Sequence, residues 1–219
     1  MDNKEDNNLD NAAEDLGIEI TPEIIKASKV RKKRIAEEIF EIVEILASAF
    51  LTVILLFTFM FRMVTVEGPS MQETLHAKDN LVISHLFYTP KQNDIVVIQV
   101  PNSAFTAPII KRVIATEGQT VYFNVETWTV EVDGVPIDEP YVNREPGAIM
   151  NNDSISLSDL PIRVEPGKIF VMGDNRNKSS DSRSSLIGQV DTRNVVGRVM
   201  MRIFPLNKFG VVRPDAETE

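Results

Sequence analysis

The stretch TVYFNVETWTVEVDGVPI, residues 120–137, decides the fold class. Two β-prone runs, 120–125 and 128–132, lead into Asp133-Gly134 and then Val135-Pro136-Ile137. A two-residue turn matched to strand twist needs positive φ at its centre, which Asp-Gly tolerates, so the stretch predicts a β-hairpin. The same texture continues outward. Upstream lie short apolar runs at 63–66, 80–84, 94–100 (closed by Pro101) and 109–115. Downstream, Pro166-Gly167 turns into 168–172, and 195–204 predicts a late strand pair or one long strand. Residues 143–161, rich in Asn, Ser and Pro, predict a loop or small excursion. Short strands punctuated by Gly and Pro predict a mostly β, barrel-like domain over 63–219, without internal repeat or further boundary.

Ahead of this domain the chain changes character. Residues 45–61, ILASAFLTVILLFTFMF, hold 17 positions without a charge. At 1.5 Å per residue they span about 26 Å, against a bilayer core of roughly 30 Å, and Ile42 and Val43 extend them. A run apolar all round is not an amphipathic core helix. Arg62-Met63-Val64 is too bulky for signal-peptide cleavage, so the run predicts an uncleaved transmembrane helix. The cluster Arg31-Lys32-Lys33-Arg34 lies in a charged juxtamembrane helix, 31–44. Its charge predicts a cytoplasmic N-terminus and an extracytoplasmic catalytic domain, in a single-pass protein of the cell membrane. Residues 1–30 set eight acidic side chains against three lysines and predict a disordered acidic tail.

The formal net charge of −9 argues against a nucleic-acid partner, which calls for a basic face. The chain has no cysteine, so disulfides, thiolate nucleophiles and zinc–thiolate sites are excluded. His76 and His85, without an H-E-x-x-H pair, argue against catalytic zinc and read as structural or surface residues. No metal or cofactor is expected.

Three segments carry candidate chemistry. Ser70 follows Glu67-Gly68-Pro69, nine positions past Phe61. A serine hydroxyl needs a base to become a nucleophile. Lys111, within Ile109-Ile110-Lys111-Arg112-Val113-Ile114, is the better base than either histidine, because burial disfavours the ammonium and frees the amine. Strand alternation puts Lys111 on a face with Ile109 and Val113, and lets Arg112 stay wet on the other. Taken alone, a strand lysine more often faces solvent. The third segment, 173–183 (GDNRNKSSDSR), follows an apolar strand. Its composition suits a surface loop, or a functional loop in which Ser179 orients the lysine and Asp181 pairs with Arg183.

Gly68-Pro69-Ser70-Met71, Lys111-Arg112-Val113, and Gly173-Asp174-Asn175-Arg176 through Ser179, Asp181 and Arg183 resemble, in order and spacing, the sequence boxes of bacterial type I signal peptidases. The resemblance runs from Val30 to Arg202, and the single anchor and modest length resemble the Gram-positive form. It implies a Ser/Lys dyad with Ser70 as nucleophile and Lys111 as neutral general base. Ser179 would hydrogen-bond the lysine, and Asp181 and Arg183 would hold the loop. It further implies cleavage of exported preproteins after small residues in an Ala-x-Ala-like pattern. Val64, Val66, Leu75 and Ile110 would wall shallow substrate pockets, and the substrate would add as a strand along 63–67. The partners implied are preproteins bearing signal peptides, membrane lipids and the nearby secretion machinery. The family's oxyanion hole uses the nucleophile's N–H and, in some members, a serine hydroxyl two residues earlier. That position is Gly68 here, which has none.

Two other readings compete. A self-cleaving repressor-type protein shares the dyad but carries a DNA-binding domain where this chain has its apolar run. A membrane-anchored β-domain without activity would have no need for Ser70, Lys111, Ser179, Asp181 and Arg183 together.

Overall fold

A computed structural model describes residues 22–101, 107–142, 144, 147–151 and 159–212. Contacts divide the chain into two units, Met1–Phe57 and Thr58–Glu219.

The described residues of the first unit are helical. Helix α1, Pro22–Met60, is one element of 39 residues. Proline suits a first helical position because its fixed φ is helical and its missing N–H is no loss there; Glu23 adds a favourable charge to the first turn. The disorder expected over 1–30 is therefore corrected for 22–30, and 1–21 lie outside the described residues. The segments expected at 31–44 and 45–61 are one continuous helix, and Phe61 already begins a strand. The side chains of Leu56 and Phe59, inside the apolar run, lie outside the described residues. Among the described residues, no helix is long and apolar enough to cross a membrane.

The second unit is mostly β. Its strands are β1 (Phe61–Thr65), β2 (Asn80–Ser84), β3 (Ile95–Ile98), β4 (Ile109–Thr116), β5 (Thr120–Asn124), β6 (Thr129–Val132), β7 (Val135–Pro136), β8 (Ile162–Arg163), β9 (Lys168–Met172), β10 (Val190–Asp191), β11 (Val195–Phe204) and β12 (Gly210–Val211). The larger sheet runs β1-β2-β11-β3-β4-β9-β10, with β12 on β11; the smaller runs β7-β6-β5-β8. The expected mostly β, barrel-like domain is found as an open sheet: among the described residues no pairing joins β1 to β10. The Asp133-Gly134 hairpin forms as predicted: Val132 pairs with Val135, and both turn residues have positive φ, 53° and 77°. Residues 195–204 form one ten-residue strand. The loop expected at 143–161 falls largely outside the described residues.

Three clusters make the core. One joins the small sheet to the large through Phe123, Trp128, Tyr141 and Phe170. A second packs Val66, Met71, Leu75, Leu81, Ile83 and Val199 beneath the segment that carries Ser70. A third packs Val96, Val113, Val171 and Val195. Strand β4 is central, between β3 and β9, and all but its end residues are buried. Arg112 therefore cannot stay wet as expected; it is 1 % exposed.

Candidate active site

Ser70 opens a tight turn between β1 and β2. Gln72 N–H donates to Pro69 O (3.1 Å) and Leu75 N–H to Met71 O (2.8 Å). Met71 and Leu75 are buried and fix this turn in the core, while Ser70 stays half-buried. From the opposite side, Asn175 N–H donates to Ser70 O at 3.0 Å. Gly68 has φ +80°, a left-handed conformation costly for side-chain-bearing residues, with open space where a Cβ would stand.

Lys111 comes from the middle of β4, opposite Val96 on β3, and is 3 % exposed. Its Nζ lies 2.9 Å from Ser70 Oγ and donates to Ile110 O at 3.0 Å. Burial lowers its pKa to about 8; Asp181 and Asp174 pull it back up, and Arg183 pushes it down. An amine with this pKa is half neutral near pH 8, where a solvated lysine is almost wholly charged. A hydroxyl and an amine at this distance can exchange a proton without moving.

The loop after β9 supplies the support. Asp181 accepts from Gly173 N–H (2.9 Å), Ser179 Oγ (2.7 Å) and Arg183 Nε and Nη2 (both 2.8 Å). Burial alone would raise its pKa, but Arg183 and these hydrogen bonds hold the carboxyl below its ordinary range. The Asp181–Arg183 pair thus forms as expected from the sequence. Ser179 does not make the expected bond: its hydroxyl donates to Asp181 rather than meeting the lysine. Gly173 is forced by contact, since a Cβ there would lie 2.2 Å from Ser179 Oγ and 2.5 Å from Ser70 O.

A second tier was not found in the sequence. Arg112 forks onto Asp174 through Nε (2.8 Å) and Nη2 (2.7 Å), and stacks 3.6 Å from the Tyr141 ring centroid. Thr74, in the serine's turn, donates to Asp174 Oδ2 at 2.6 Å. Asp174 therefore joins the strand of Lys111 to the turn of Ser70. Glu139 binds both terminal nitrogens of Arg176, whose Nε donates to Gly173 O at 3.1 Å. The only signal in the sequence was an acidic residue beside Pro140-Tyr141, which composition cannot separate from a surface turn.

An open cleft of about 640 Å³ leads to the pair, lined by Val64, Gly68, Ser70, Ile110, Lys111 and Ser180. Of the four expected wall residues, Val64 and Ile110 line it. Val66 and Leu75 lie in the core behind it, 3 % and 0 % exposed, because the turn needs apolar ballast on its inner side. Among the described residues, strand β1, beside the cleft, pairs only with β2 and forms an edge of the sheet.

The family described as signal peptidase, peptidase S26, matches residues 39–204. A signal peptidase I of Bacillus licheniformis is 34% identical over 175 residues, covering 78% of this chain and 91% of that protein. A probable signal peptidase I-1 of Synechocystis sp. is 36% identical over 155 residues, 66% of this chain and 72% of that protein. A crystal structure of a signal peptidase I from Enterococcus faecalis V583 aligns with a TM-score of 0.42 and 27% identity, over 51% of this chain and 97% of that one.

Proposed function

The chain belongs to the signal peptidase family, peptidase S26, and on that premise we propose that it removes signal peptides from exported preproteins by a Ser70–Lys111 dyad. Neutral Lys111 takes the proton of Ser70 as its Oγ attacks the scissile carbonyl. The C–N bond breaks, the leaving amine takes that proton, and an ester remains on Ser70. Lys111 then activates a water that hydrolyses the ester and frees Ser70. The observation that carries this reading is the 2.9 Å contact between a serine hydroxyl at a cleft and a lysine whose pKa burial lowers to about 8.

Asp181 and Arg183 hold the loop, with Ser179 acting through Asp181. The Ser70 N–H serves the oxyanion, and Gly68 adds no hydroxyl. The open edge of β1 accepts the substrate as an added strand, with Val64 and Ile110 walling shallow pockets that favour small side chains. Residues 45–61 anchor the protein once in the cell membrane. The Arg31–Arg34 cluster keeps the N-terminus cytoplasmic, and the peptidase domain works outside, among lipids and beside the secretion machinery.

The test is cleavage of a model preprotein in vesicles, with the product's new N-terminus sequenced. Wild type is expected to cut after the Ala-x-Ala-like site, and Ser70→Ala and Lys111→Ala are expected to be inactive. Lys111→Arg is expected to fail as well, because arginine does not give up its proton at working pH. Full activity in Ser70→Ala or Lys111→Ala would sink the dyad.

A further inference from the structure

The loop that supports the base also faces the cleft, and the dyad does not account for the cation it places there. Ser179 is in extended backbone, with φ −131° and ψ 120°. In such backbone successive side chains point to opposite sides. Ser179 turns inward: it is buried and donates to Asp181. Lys178 and Ser180 therefore turn the other way, and both line the cleft that holds Ser70 and Lys111. Lys178 is exposed, and among the described residues its ammonium has no ion-pair partner. The backbone that carries it is firmly held. Lys178 N–H donates to Asn175 O (3.1 Å), Asn151 N–H donates to Asn177 Oδ1 (2.8 Å), and Arg183 Nη2 donates to Arg176 O (2.8 Å). A cation on a rigid mount, lining the cleft of the nucleophile, is placed to meet an anion of the substrate.

The part of the substrate that meets Lys178 follows from the site. On the reading above, residues before the scissile bond lie along 63–67, with Val64 and Ile110 as walls. Residues after that bond then leave past Ser70, away from β1. The loop closes on Ser70 from that side, since Asn175 N–H donates to Ser70 O. Glu67, exposed at the β1 side of the same cleft, has the opposite charge. The cleft is thus anionic where the signal peptide lies and cationic where the mature chain leaves. An acidic side chain of the substrate is repelled on the first side and attracted on the second.

We propose that Lys178 is a specificity-determining residue, which favours preproteins with an acidic side chain at the first or second residue after the scissile bond. The ion pair forms as substrate binds and takes no part in the bond changes, so it acts on KM more than on kcat. This proposal deepens the signal-peptide reading and rests on it.

The test uses the full chain in uncharged detergent micelles and internally quenched peptides with one Ala-x-Ala-like site. Two series carry Glu, Gln or Lys at the first or at the second residue after that site. In at least one series, wild type is expected to cleave the Glu peptide with a kcat/KM roughly two- to tenfold above that for the Lys peptide, because attraction and repulsion at one exposed pair both count. The Gln peptide is expected to fall between them. The Glu-to-Lys ratio is expected to drop to about one in Lys178→Gln and to invert in Lys178→Glu. Lys91→Gln, which removes an equal charge from an exposed site outside the cleft, is expected to keep the wild-type ratio. In 1 M NaCl, where the Debye length is about 3 Å, the wild-type ratio is expected to shrink. A wild-type ratio near one in both series, or a ratio that survives Lys178→Gln or high salt, overturns this proposal and leaves the dyad standing. No Ser70-dependent cleavage of the Gln peptide overturns the signal-peptide reading and this proposal with it.

Discussion

At the residue scale, Lys111 works against stability in the same way that it works for chemistry. Its pKa of about 8 in the folded protein lies below the ordinary 10.5. Above pH 10.5 the amine is neutral in both states and costs nothing by this route. As pH falls from 10.5 to 8 the unfolded chain takes up the proton first, so stability declines. Below pH 8 both states are protonated and the cost is constant, on the order of 3 kcal/mol. Lys111→Met is therefore expected to be inactive yet to melt higher at pH 7, with the gain shrinking between pH 8 and 10.5; thermal melts across that range check it. Gly68 gives a prediction of opposite sign. With φ +80° and open space around it, Gly68→Ala is expected to cost about 1 kcal/mol through backbone strain alone, read from a denaturant midpoint. Ser70 and Lys111 were legible in the sequence because their neighbours form recognisable boxes. The partner of Ser179 was not, because a hydroxyl within reach of both an amine and a carboxylate is assigned only by the loop's folded path.

At the element scale, the site is a junction of three segments clamped by buried ion pairs. Arg112–Asp174 ties β4 to the loop after β9, and Thr74 adds the serine's turn to the same carboxylate. Arg176–Glu139 ties that loop to the segment leaving the small sheet. Removing one partner leaves a buried charge unpaired, so Glu139→Ala is expected to lose about 3–5 kcal/mol, measured by chemical denaturation. Gly173→Ala is expected to abolish cleavage, since the methyl would meet both Ser179 Oγ and Ser70 O; retained activity would mean that the loop can shift aside. The hairpin at 133–134 was legible because its chemistry is local. The burial of Arg112 was not, because alternation along β4 predicts two faces and cannot reveal that loop and sheet cover both. Val66 and Leu75 were misassigned for a related reason: apolar residues near a nucleophile serve as pocket walls or as core, and only packing tells which.

At the scale of the whole molecule, a helix that begins at Pro22 leads along the chain into a β unit whose first strand starts at Phe61. The anchor reading predicts that protease added outside sealed cells digests the β unit and spares an epitope at the N-terminus. Replacing Arg31, Lys32, Lys33 and Arg34 with glutamine is expected to leave a fraction of the chains inverted, scored by the same protection assay. The fold class was legible from turn residues and short strands, whereas the open sheet, with β11 between β2 and β3, was not, because strand order depends on long-range pairing. The central claim is that a neutral Lys111 activates Ser70, and the pH dependence of kcat/KM for preprotein cleavage by the full chain in vesicles tests it most directly. The account predicts a plateau above about pH 8 and a roughly tenfold fall per pH unit below it. A profile that stays flat down to pH 5 would contradict it.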